Sequence, residues 1–184
     1  AGLAVLDNTG ELQARKHKGK VSVLENDLAA APLKGRVGIA HTRWATHGVP
    51  SEINSHPHLS DDVAVVHNGI IENHNVLREK LKKQGYTFVS ETDTETAAHL
   101  IHHNLKTAAN LREAVQKTVK ELEGAYALGV ICAREPGVLV GTRHGSPLVL
   151  GVGIEESFIA SDTMALRQVT DRFIFLEEDD LVEL

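Results

Sequence analysis

Cysteine is almost missing from this sequence: Cys132 is the only one among 184 residues. A single thiol excludes an internal disulfide framework and suits a reducing compartment. Long apolar runs are missing as well, since nothing approaches the roughly 20 residues that a membrane span needs. The first residues lack the charged start, apolar run and cleavage site of a secretory signal. Charge of one sign gathers nowhere; 19 Lys and Arg face 25 Asp and Glu, for a formal net charge of −6. Without a basic face to neutralise phosphates, nucleic acid is excluded as the main partner. No Walker-type Gly-rich loop or dinucleotide fingerprint occurs, so no nucleotide cofactor is expected. There is no internal repeat, low-complexity tract or linker. What remains is one soluble, cytoplasmic-type domain, long enough for a real core and short for two domains.

The residues that are present alternate between strand and helix signals. Gly2–Leu6 and Glu11–Arg15 flank Asp7-Asn8-Thr9-Gly10, a turn sequence, and predict a hairpin. Val21, Leu24 and Leu28 share a helical face, predicting a short helix over Val21–Ala31. Arg36–His41 reads as a strand, residues 51–62 as a loop, and the β-branched run Val63–Val66 as a buried strand that stops at His67-Asn68-Gly69. Helices are expected over Asn75–Gln84, Thr92–Asn104 and Leu111–Leu122, with a short strand over Tyr86–Val89. The pair Thr92 and Glu95 has the spacing of a capping box. Beyond Gly124 the pattern is β: Tyr126–Ala133 with Val138–Thr142, Leu148–Val152 with Ser157–Ala160, then Phe173–Leu176 and Leu181–Leu184. Ser161-Asp162 is placed to cap a helical turn. Strands at both ends with helices between them predict an α+β layered domain.

Three stretches carry the chemistry. Gly38 to Pro50 starts as a strand and then gathers His41, Arg43, Trp44, Thr46 and His47. Such residues are poor core material and good material for the rim of an anion pocket. The Arg43 guanidinium offers a planar fork that fits a carboxylate bidentately. Asn68-Gly69 pairs an amide donor with a backbone N–H where a ligand can come close, the arrangement of an oxyanion hole. Asn-Gly is equally a common turn dipeptide, and both readings stand at this level. Asp93 falls at the first helical position, where the helix dipole favours a carboxylate that could hold an ammonium; its other reading is a plain helix start. Arg43 and Asp93 together would grip the carboxylate and ammonium of an amino acid.

Eleven histidines, with His56-x-His58 among them, raise a rival metal-site reading. No His-x-x-x-His with an intervening Glu and no Cys cluster supports it. His99, His102 and His103 are expected at the surface or a pocket rim. Cys132, inside an apolar strand, is expected to be structural.

The runs His41-Thr42-Arg43-Trp44-Ala45-Thr46-His47-Gly48, His56-Pro57-His58, His67-Asn68-Gly69-Ile70-Ile71-Glu72-Asn73 and Ser90-Glu91-Thr92-Asp93-Thr94-Glu95 occur in that order. Ser146-Pro147-Leu148 and Ala160-Ser161-Asp162 follow. The combination resembles the glutaminase domains of the isomerising glutamine–fructose-6-phosphate aminotransferases (the glucosamine-6-phosphate synthases), and the resemblance runs the length of the chain. It implies a four-layer αββα N-terminal-nucleophile hydrolase sandwich of two antiparallel sheets covered by helices. It further implies hydrolysis of L-glutamine to L-glutamate and ammonia without cofactor or metal. The ammonia passes to a sugar-phosphate isomerase domain of the same polypeptide, and the full-length enzyme is expected to be a homodimer. By the same resemblance Arg43, helped by Thr46 and His47, binds the glutamine α-carboxylate, and Asp93 binds the α-ammonium. Asn68 and the Gly69 N–H form the oxyanion hole. The loop from Arg43 to about Pro50 is a lid, with Trp44 near the ammonia exit.

In that family the nucleophile is an N-terminal Cys that opens a Cys-Gly-Ile-Val-Gly strand and uses its own α-amino group as base. Ala1 cannot replace it, and Cys132 matches no catalytic position. The expectation is therefore a fold lacking its first strand and helix, marginally stable and inactive alone, with no isomerase domain. Two alternatives remain: a glutamine- or glutamate-binding module without turnover, and a His-based metallohydrolase.

Overall fold

The computed structural model describes residues 1–42 and 51–184. Strands β1 (Gly2–Leu6) and β2 (Leu12–Lys16) form the expected hairpin. Its turn is closed by Asp7, whose Oδ1 accepts from the N–H groups of Thr9 (2.8 Å) and Glu11 (2.9 Å). Helix α1 (Val21–Ala30) buries Leu24 and is tied to the hairpin through Asp27, 3.1 Å from His17 Nε2 and 3.7 Å from Arg15 Nε. Strand β3 (Val37–His41) pairs with the other edge of β1, giving a three-stranded sheet ordered β2-β1-β3.

The chain then runs through β4 (His58–Ser60), β5 (Val63–Ile71), α2 (His74–Lys83), α3 (Asp93–Leu105) and α4 (Leu111–Val119). It continues with β6 (Gly124–Cys132), β7 (Leu139–His144), β8 (Val149–Val152), β9 (Ser157–Ala160), a 3-10 turn at Thr163–Ala165, β10 (Phe173–Phe175) and β11 (Leu181–Glu183). The central sheet is antiparallel and ordered β11-β7-β6-β5-β4, and a smaller one is ordered β10-β8-β9.

The central sheet is covered on both faces, which is why β5 and β6 read as almost continuous apolar runs. On one face Val63, Val65, Leu128, Val130 and Val140 pack with Leu77, Leu81, Leu100, Ile101, Leu111 and Val115 of the helices. On the other, Ala64, Ile131 and Leu139 meet Ala4, Leu6 and Ile39 of the first small sheet. Ala127 lies with Leu148, Leu176 and Ile159 of the second small sheet and the segment after it. Leu100, Leu111 and Leu128 are completely buried, so truncating any one to Ala would cost about 2–5 kcal/mol. Helices, central sheet and a second β layer made of the two small sheets reproduce the α+β layering expected from the sequence. Among the described residues, α1 is the helix tied to that second layer.

Gly129 of β6 lies beneath the junction of the two small sheets. A Cβ built on it would meet Ile159 Cδ1 of β9 at 3.2 Å and Ile39 Cγ2 of β3 at 3.8 Å. β3 and β9 are the outer strands of their sheets, so two strand edges border the same strip of the central sheet.

Four expectations need correction. Strand β5 does not stop at Val66: it pairs with β6 from Val63↔Cys132 to Ile71↔Gly124, carrying His67-Asn68-Gly69 inside the ladder. Residues 51–62 are not all loop, because His58–Ser60 forms the edge strand β4. Tyr86–Val89 is not a strand, since Glu95 rather than a neighbouring strand takes the Val89 N–H. Helix α4 ends at Val119, earlier than Leu122, and Gly124 opens β6.

Candidate active site

The far end of β5 and the start of α3 bring Asn68, Gly69 and Asp93 near one another. Asn68 lies in β5 beside the end of β3, and its Oδ1 is 2.7 Å from His41 Nε2. Gly69 follows with φ +124, a conformation that side-chain-bearing residues rarely adopt. Its space is as restricted as its backbone: a Cβ there would sit 2.1 Å from Ala125 O and 2.8 Å from Ser146 Oγ. The Asn-Gly pair is thus not a hairpin turn. Glycine is used because the backbone takes a positive φ there and leaves no room for a Cβ against Ala125 of β6.

Asp93 is the first residue of α3, as expected, and Thr92 is its N-cap. The carboxylate is buried. Its Oδ2 accepts from the Ile71 N–H at 2.9 Å, two residues beyond Gly69, and lies 3.8 Å from His67 Nδ1. Asp93 therefore fastens the α3 N-terminus to the end of β5 at the position where the Asn-Gly pair sits. Its Oδ1 is met by Thr94 Oγ1 at 3.5 Å.

A cavity of about 500 Å³ opens between β3 and β9. His41, Thr42, His67 and Asn68 line one side, and Ala160 and Ser161 the other. Asp93 and Gly69 are not among its lining residues. A second cavity, about 610 Å³, borders the opposite end of the same two strands, from Val37 and Gly38 to Ser157 and Phe158. Arg43, Trp44, Thr46 and His47, and with them the lid, lie outside the described residues.

The histidines behave differently from the sequence expectation. His56 and His58 are buried and direct Nε2 at hydroxyls, Thr94 Oγ1 and Thr92 Oγ1, each at 3.0 Å. His67 Nδ1 also meets Thr94 Oγ1 at 3.0 Å. His99 and His102 are buried, not rim residues; α3 is packed between sheet and helices on nearly all sides, and Ser60 Oγ meets both His99 Nδ1 (2.7 Å) and His102 Nδ1 (3.2 Å). Burial lowers the affinity of His102 and His103 for a proton. Among the described residues, the group close enough to share a cation is Asp61, Asp62 and His102, away from His56-x-His58. Asp62 is already paired with Arg134.

The capping box forms by half. Thr92 Oγ1 accepts from the Glu95 N–H at 3.4 Å, but the Glu95 carboxylate reaches past the cap to the N–H groups of Val89 and Ser90, both at 2.8 Å, and to Ser90 Oγ at 2.6 Å. Burial by itself would raise the pKa of Glu95; hydrogen bonds from His99, Ser90 and these backbone groups outweigh it and hold it at about 2. Val89 and Ser90, just ahead of α3, are thus held by one buried carboxylate. Cys132 is buried, and burial pushes its thiol up to about 11, which fits the structural role expected for it.

His41, Thr94 and Glu95 contribute through contacts that the residue-by-residue reading did not assign them: His41 stood only among the rim residues and Glu95 only in a capping box. The signal for Thr94 and Glu95 was their place one turn into a helix that begins beside a strand end.

Residues 41–168 match the glutamine amidotransferase domain family. Over its whole length the chain is 61% identical to the glutamine–fructose-6-phosphate aminotransferase (isomerizing) of Pseudomonas syringae pv. tomato. It is 56% identical to the enzyme of the same name from Escherichia coli K12. The chain spans 30% of the length of each. Among solved structures, glutamine phosphoribosylpyrophosphate amidotransferase from B. subtilis, complexed with ADP and GMP, matches 99% of this chain and 40% of its own, with a TM-score of 0.83 at 25% identity. A glutamine aminotransferase class-II domain protein from Silicibacter pomeroyi shares the fold, with a TM-score of 0.71 at 14% identity over 100% of this chain and 86% of its own.

Proposed function

The chain belongs to the glutamine amidotransferase family, and from that premise we propose that it is the glutamine-hydrolysing domain of a glutamine–fructose-6-phosphate aminotransferase. Its substrate is L-glutamine, its products are L-glutamate and ammonia, and the ammonia goes to a sugar-phosphate isomerase domain of the same polypeptide. The enzyme is cytoplasmic and works as a homodimer. The observation that carries the reading is the Asn68 amide, 2.7 Å from His41 in the wall of the β3–β9 cavity and followed by Gly69 at φ +124.

In this mechanism a thiolate attacks the side-chain carbonyl carbon of glutamine, and the carbonyl oxygen becomes an oxyanion. The Asn68 Nδ2–H and the Gly69 N–H stabilise that charge as it develops. The C–N bond breaks, ammonia leaves with a proton from the nucleophile's α-ammonium, and water cleaves the thioester to give glutamate. Arg43 binds the α-carboxylate with Thr46 and His47, and Trp44 sits in the lid over the ligand. Asp93 binds the α-ammonium through Oδ1, since Oδ2 is committed to Ile71. The nucleophile is an N-terminal Cys outside these 184 residues, on a strand that enters between β3 and β9. Among the described residues no strand pairs with the outer edge of β3 or of β9, and with the cavities between them this supports that entry.

Calorimetry with L-glutamate tests the grip. Wild type should bind, and Arg43→Ala should weaken binding at least tenfold, the scale of one charge-assisted pair. Equal affinity in both proteins would remove Arg43 from the carboxylate role.

A further inference from the structure

We infer that His41 is a positioning residue for the oxyanion hole: its Nε2–H donates to Asn68 Oδ1 and so turns the Asn68 Nδ2–H toward the reacting carbonyl. The inference rests on the oxyanion role proposed for Asn68 and goes a step beyond it. A side-chain amide is nearly symmetric in shape and opposite in polarity at its two ends. With Nδ2 forward it stabilises an oxyanion, and with Oδ1 forward it repels one. Asn68 alone does not decide between the two.

His41 decides it when its proton sits on Nε2. The Nε2–Oδ1 separation is 2.7 Å, at the short end for an N–H···O bond. Both residues stand on strands, His41 at the end of β3 and Asn68 within β5, so the contact is held by two backbones rather than by a loop. The His41 ring is further restrained by the His56 ring, with centroids 4.3 Å apart and planes 33° apart. His56 in turn meets Thr94 Oγ1 at 3.0 Å, one residue from Asp93. Flipping the amide would set its NH₂ group against the His41 N–H, donor against donor. With the proton on Nε2 the contact selects one of two amide orientations before substrate arrives, which is what a preorganised oxyanion hole requires.

The test is a double-mutant cycle on glutamine hydrolysis in the full-length polypeptide. His41→Leu should lower kcat about tenfold, the scale of one lost hydrogen bond, with KM for glutamine changed less than about threefold, because the amide orientation matters to the transition state. His41→Gln, which keeps an N–H donor, should recover most of the rate. In an Asn68→Ala background, His41→Leu should add nothing. If its tenfold loss persists there, His41 does not act through Asn68 and the inference falls while the oxyanion role stands. If Asn68→Ala leaves kcat intact, the oxyanion reading falls first and takes this one with it. Nitrogen NMR of the wild-type imidazoles covers the case of a His41→Leu protein that does not fold. A proton on His41 Nε2 supports the inference, and a bare Nε2 overturns it.

Discussion

Replacing Glu95 with Gln tests whether the clamp ahead of the site helix is built as described. The carboxylate splits its two oxygens between donors: Oε1 takes the Val89 N–H, and Oε2 takes the Ser90 N–H and hydroxyl. An amide has one acceptor oxygen, so Glu95→Gln must set its NH₂ against the N–H of Val89 or of Ser90. Leaving one buried donor without an acceptor costs about 1–3 kcal/mol. The acid–base comparison gives a similar figure. Lowering a carboxyl from its usual 4.5 to about 2 corresponds to about 3 kcal/mol of stability at neutral pH. The folded pKa is depressed, so this stability is fully present above pH 4.5 and is lost as pH falls toward 2. Glu95→Gln should therefore lower the unfolding free energy by about 3 kcal/mol at pH 7 and lower Tm by about 6–12 °C. Below pH 4.5 wild type should lose stability at up to about 1.4 kcal/mol per pH unit from this group, and the variant should lack that slope. Urea titrations of both chains between pH 2.5 and 7 read all of this. A variant within 0.5 kcal/mol of wild type at pH 7, or one with an unchanged acid slope, would refute the clamp.

Gly69→Ala should destabilise the chain by about 3 kcal/mol or more, since it combines a left-handed φ with a Cβ 2.1 Å from Ala125 O; a Tm within 2 °C of wild type would contradict this. Cys132, with its thiol pushed up to about 11, should react with an aromatic disulfide reagent only as fast as the chain unfolds, and a burst of labelling on native protein at pH 8 would show otherwise.

The helices and most strands are legible because their apolar spacing decides them locally. The hairpin turn at Asp7, the Thr92 cap and the pairing of Val149–Val152 with Ser157–Ala160 all follow from turn chemistry and alternation. The misreadings share a cause: a long-range partner overrides a local signal. Asn68-Gly69 reads as a strand end until β6 is seen to pair through it to Ile71. Tyr86–Val89 has strand composition, yet its backbone is claimed by Glu95, and its rings pack on helix side chains, Phe88 against His99 and Arg78. His99 and His102 carry no local mark of burial, and only the packing of α3 on β4 and β5 supplies Ser60 as their partner. At the site, the residue types Asn68, Gly69 and Asp93 suggest the chemistry proposed for them. The contacts that orient them, His41 on Asn68 and Asp93 on the Ile71 N–H, span 27 and 22 residues and have no signature in sequence.

Steady-state glutamine hydrolysis by the full-length polypeptide with Asn68→Ala tests the central claim most directly. The account predicts that kcat falls by about 10²–10³ while KM stays within about threefold, the signature of a donor that acts on the transition state. An Asn68→Ala enzyme with wild-type kcat would contradict it.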